Sequence, residues 1–68
     1  MRISARNQLR GTVTAIKEGA VNGIVTIDVN GSAVSATISM ASIHELGLEV
    51  GKEAVAVIKA TSVMVAID

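Results

Sequence analysis

At 68 residues the chain is a single domain near the lower limit of what folds without cross-links, and with no Cys it has neither a disulfide framework nor a thiolate metal site. Six basic and six acidic side chains cancel, and there is no Phe, Tyr or Trp. Single-stranded nucleic-acid binding stacks bases on aromatic rings along a basic groove, so both features argue against it. The amino-terminal MRISARNQLRG has no apolar signal segment, and no apolar run reaches membrane-spanning length. A soluble cytoplasmic protein is expected. Half of the residues are apolar, and on so short a chain that fraction predicts burial between subunits, in an obligate oligomer.

The first eight residues, with Arg2, Ser4, Arg6, Asn7 and Gln8, read as a polar amino-terminal arm. From Leu9 to Lys17 the run LRGTVTAIK is rich in β-branched residues and predicts a strand. A turn flanked by Gly19 and Gly23 follows. Over Ile24 to Val29 the pattern alternates, placing Val25, Ile27 and Val29 on one face. Asn30-Gly31 then supplies the residues a type I′ hairpin turn needs, because both central positions require positive φ. Ser32 to Ser39 should therefore pair back antiparallel, with Val34, Ala36 and Ile38 sharing a face. Ser42-Ile43-His44-Glu45 has the Ser-x-x-Glu form of a capping box and predicts a helix starting at Ser42, stopped within one or two turns by Gly47. Two further strands, Ala54 to Ala60 and Val63 to Ile67, are apolar at nearly every position, which predicts burial on both faces.

Strand, strand, strand, short helix, strand, strand is the order of the oligonucleotide/oligosaccharide-binding (OB) fold, an all-β Greek-key barrel of five strands with a helix between the third and fourth. An SH3-like barrel is the alternative. One domain is expected over residues 1–68, with the arm at 1–8 and the barrel at 9–68.

Enzyme chemistry finds little support. His44 has no second His and no Cys with which to hold a metal, and Asp28, Glu18, Glu45, Glu49 and Glu53 form no recognisable acid/base pair. Neither a GxxxxGK[ST] nor a GxGxxG loop is present. The chain does carry groups suited to a small anion: Arg6 and Lys59 as cations, Ser39, Ser42 and Thr61 as hydroxyl donors, and free N–H groups at the start of the helix. A fully ionised tetrahedral dianion presents only acceptors, so its pocket should hold donors and no carboxylate. The same residues equally suit a snorkelling lysine, a solvated arginine and serines that merely cap.

The segments ISARNQLRGTV, ISMASIHELGL and VIKAT closely resemble the molbindins, or Mop-type domains, and the likeness runs from Met1 to about Ile67. Ser-Ala-Arg-Asn-Gln is the most distinctive part, since nothing about a barrel requires it. The resemblance implies a homohexamer, a trimer of dimers, that binds molybdate or tungstate at subunit interfaces and has no catalytic step. It also implies that Ser4 and Arg6 of one subunit meet Ser39, Ser42 and Lys59 of a neighbour, with backbone N–H groups near Ala60 completing the shell. No organic cofactor is implied. Intracellular molybdenum storage is the expected role, with an accessory docking module for a molybdenum enzyme or transporter as the alternative, and a nucleic-acid-binding OB module less favoured still.

Overall fold

A computed structural model describes all residues from Met1 to Asp68. Four antiparallel strands form one sheet: β1 (Asn7–Lys17), β2 (Asn22–Val29), β3 (Ser32–Ser39) and β4 (Glu53–Ile58), in the spatial order β3-β2-β1-β4. Helix α1 (Met40–Glu45) lies between β3 and β4, and a short 3-10 turn, η1 (Ala60–Ser62), follows β4. The architecture is the expected all-β, OB-type curled sheet with one short helix. No helix is long and apolar enough to cross a membrane.

The β2–β3 hairpin forms as the sequence requires. Asn30 and Gly31 both have positive φ, at 50° and 90°, and the strands pair from Val29↔Ser32 to Asn22↔Ser39. Strand β1 is the hinge of the sheet. It pairs with β2 through its second half and with β4 through its first, and a register shift between Val13 and Ala15 bends it. Such a bulge increases local twist and lets one long strand serve two partners across a curl. Backbone bonds from Val13 N–H to the Lys52 carbonyl (2.9 Å) and from Gly51 N–H to the Val13 carbonyl (2.8 Å) secure the bend.

Inside the curl, Val13, Val25, Ile27, Ile43 and Ala56 form the core, with Ile16, Val34, Ile38, Met40 and Leu48 packed around it. Gly23 is buried because the helix presses on it: a Cβ there would stand 2.7 Å from Ile43 Cδ1 and 2.9 Å from Met40 Sδ. Only six residues are buried in all, a small core even for a chain of this length.

Four expectations change. The helix starts at Met40, and its cap is Ser39 rather than Ser42. β3 runs straight into the helix, with the Met40 N–H bonded to the Val21 carbonyl at 2.8 Å, so at Ser42 the first turn is already under way. The stop is as predicted: Gly47 adopts φ 63°, its N–H bonds to His44 O and that of Leu48 to Ile43 O, both at 3.1 Å, which is a Schellman closure. Second, β1 begins at Asn7, so Asn7 and Gln8 leave the arm for the ladder, and β4 ends at Ile58, short of Ala60. Third, Val63 to Ile67 make no ladder, leaving four strands instead of five. Met64, Val65 and Ile67 are each at least 90% exposed. Burial on both faces of β4 also fails within one chain, where Ala56 is buried and Val57 is 40% exposed. Apolar pattern reports that a segment needs a partner, and this chain folded alone offers none at that place.

Candidate oxyanion site

The β1–β4 ladder ends at the pair Asn7↔Ile58. Continued one step, that register sets Arg6 opposite Lys59, just where both strands leave the sheet. Lys59 keeps an extended backbone (φ −61°, ψ 131°) as the cap of η1, so the chain turns away only after it. Ser4 and Arg6 on one side and Lys59, Ala60 and Thr61 on the other line a single open cleft, with Ile3 and Ala5 as its apolar floor.

No carboxylate lines this cleft. The ion pairs of the chain lie elsewhere, Arg10 with Glu53 and Lys52 with Glu49, so Arg6 and Lys59 both lack an acidic partner. Like charges directly opposite on a ladder repel, and an anion between them would convert that repulsion into attraction. Two cationic side chains, two hydroxyls and the backbone N–H groups of η1 make a set dominated by hydrogen-bond donors. The cleft is exposed on all of these residues except the half-buried Ala5. Its volume, near 330 Å³, exceeds several-fold what one small tetrahedral ion fills.

Ser39 and Ser42 stand apart from it. They sit where β3 meets α1, beside Asn22 at the far end of β2, whereas Arg6 and Lys59 flank the opposite end of β1. Ser39 Oγ accepts the Ser42 N–H at 3.0 Å, and its hydroxyl lies 2.9 Å from Ser42 Oγ. Five of the seven anticipated site residues thus come together in one chain, and the other two do not join them. Within one chain the β1–β4 register brings the strand ends that carry Arg6 and Lys59 to one place. Ile3 and Ala5 were missed, and so was Asn7, whose side-chain amide donates to the Ile58 carbonyl at 3.2 Å beside the cleft. The register that pairs Asn7–Thr12 with Glu53–Ile58 is invisible until the two strands are paired.

A second concavity at the β1–β2 turn is lined by Lys17, Glu18, Gly19, Asn22 and Thr37, among others. The Glu18 carboxylate beside its single cation suits a dianion less well.

Fold and cleft together define a small β domain with a donor-lined, carboxylate-free recess at the end of its sheet. Residues 3–65 match the family model of the TOBE domain. A "Probable molybdenum-pterin-binding protein" of Haemophilus influenzae is 61% identical over the full length of both chains. Among solved structures, a molybdate binding protein from Sporomusa ovata superposes with a TM-score of 0.93 at 36% identity, covering 98% of this chain and all of that one. MopII from Clostridium pasteurianum gives 0.91 at 42%, covering 97% of this chain and all of that one. The chain belongs to the TOBE-domain family and is of the Mop, or molbindin, type.

Proposed function

We propose that this protein binds molybdate, with tungstate as the close alternative, and that it does so without a catalytic step. The observation that carries the reading is the convergence of Arg6 and Lys59, neither with an acidic partner, on one cleft free of carboxylates. The molybdate binding protein from Sporomusa ovata, a solved relative, supplies the identity of the anion. Ser4, Arg6, Lys59, Thr61 and the backbone N–H of Ala60 would hold the oxygens, each replacing a hydrogen bond from water with a fixed donor.

Ser39 and Ser42 would join this shell from a second subunit, since within one chain they lie at the other end of β1. A homohexamer built as a trimer of dimers fits that need. Support comes from the open outer edges of β3 and β4 and from the exposed, strand-patterned segment Val63 to Ile67, which can add to such an edge on another copy. Reversible binding on an oligomer would make the protein an intracellular molybdenum store; the metal enters as an oxyanion, and no organic cofactor takes part.

Isothermal titration with molybdate, with sulfate as control, tests the function on protein whose assembly mass is measured by light scattering. Saturable heat that falls by about tenfold or more in affinity in each of Arg6→Ala and Lys59→Ala is expected, the scale of a hydrogen bond to a charged group. Unchanged affinity in both variants would place the site elsewhere.

A further inference from the structure

We infer that Asn7 is a positioning residue of the oxyanion site, and that its side-chain clamp across the end of the β1–β4 ladder sets the spacing between Arg6 and Lys59. The inference rests on the reading of the cleft as an anion site.

Arg6 and Lys59 occupy the first step beyond the ladder, where no backbone bond spans the two strands and where two like charges drive them apart. Ladder ends without such bonds fray. Directly inside them, Asn7 Nδ2 donates to the Ile58 carbonyl at 3.2 Å. Both residues are half-buried, so the bond is partly shielded from competing water. This is the one side-chain hydrogen bond that joins β1 to β4 at this end of the sheet; the other polar link between these strands, Arg10 to Glu53, lies several residues away. On the arm side, Gln8 Nε2 donates to the Ala5 carbonyl at 2.8 Å, which orients the chain entering the cleft but makes no contact with β4.

The clamp therefore adds a side-chain bond to the backbone pairing of Asn7 with Ile58 and braces the two strands one residue from the cations that face each other across them. A donor set held at fixed spacing discriminates between tetrahedral dianions of different size, whereas one free to relax accommodates both. Asn7 touches no ligand in this arrangement, and its effect passes through the two cations.

The test compares the wild-type oligomer with Asn7→Leu, which removes the donor at similar bulk, and with Asn7→Gln, which keeps an amide donor. Affinities for molybdate and for sulfate are measured by titration and by competition, alongside the melting temperature without anion. Asn7→Leu is expected to lose about fivefold in molybdate affinity, the net worth of one hydrogen bond, and to lose less for sulfate, so that the molybdate-to-sulfate ratio falls. Asn7→Gln should recover most of the ratio. A lower melting temperature with an unchanged ratio would make Asn7 merely a strand-end brace and overturn the inference, as would wild-type affinity in the Leu variant. If Asn7→Leu does not assemble, Asn7→Ala takes its place, with the same ratio as readout. A wild-type protein that binds neither anion would remove the functional reading and this inference with it.

Discussion

Ser39 Oγ receives the backbone N–H of Ser42 at 3.0 Å and lies 2.9 Å from the Ser42 hydroxyl. Because Ser39 Oγ already accepts from the N–H, its own proton is the one available to the Ser42 oxygen. Ser39 caps the helix, and the Ser42 hydroxyl only accepts from that cap. Ser39→Ala should thus cost about 1 kcal/mol of stability through loss of the cap, and Ser42→Ala distinctly less. Chemical denaturation of the two variants, compared by midpoint at equal slope, checks the order.

The two cations of the cleft should be separable from the rest of the basic residues. Arg10 is exposed and paired with Glu53 outside the cleft, so Arg10→Ala is expected to leave molybdate affinity within about twofold of the wild type, the small effect typical of an exposed pair. Arg6→Ala and Lys59→Ala should each weaken binding at least about tenfold. Titration of the three variants under one salt condition makes the comparison.

Gly23 should not tolerate a side chain. A Cβ at this position would sit 2.7 Å from Ile43 Cδ1 and 2.9 Å from Met40 Sδ, and the helix would have to move off the sheet or the two side chains change rotamer. Gly23→Ala is expected to lower stability by about 1–3 kcal/mol, the usual cost of overpacking. Thermal unfolding measures it.

The carboxyl-terminal segment should matter to assembly and little to the fold of one chain. Met64, Val65 and Ile67 are almost fully exposed and belong to no ladder. Val65→Asp places a charge where pairing with a second copy would bury it. The variant is expected to keep the β-sheet signature in circular dichroism while its mass by light scattering falls. An unchanged oligomer would show that assembly does not use this segment.

Glu49 titrates below the ordinary carboxylate range, because the Lys52 ammonium hydrogen-bonds it at 2.8 Å and attracts its charge. Its folded pKa lies below the unfolded one, so the pair stabilises the protein above the unfolded pKa. That contribution is lost as the pH falls through the folded value. The pair is exposed, so the effect on stability is small. Carboxyl-resolved NMR titration should show the lowered midpoint, and Lys52→Ala should return it toward the ordinary value.

Much of this fold follows from local chemistry alone. Asn30-Gly31 admits the positive φ values of a hairpin turn, Val25 and Ile27 alternate into the core, and Gly47 closes the helix in the left-handed region; each depends on a handful of neighbouring residues. The residue types of the cleft could also be picked out in advance, because Arg6, Lys59, Ser4 and Thr61 are donors that no internal carboxylate claims. What they do together depended on tertiary structure. The pairing of residues more than fifty positions apart sets Arg6 opposite Lys59 and puts Asn7 across from Ile58, and no local pattern encodes that register. The helix begins at Met40, capped by Ser39 rather than Ser42, where the Val21 carbonyl takes the Met40 N–H, a contact made by the bend that leads into β2. Val63 to Ile67 carry the pattern of a strand and form none, since alternation and apolarity state only that a surface must be covered. Whether a covering strand exists, and on which chain, is decided by the edges that folding leaves open.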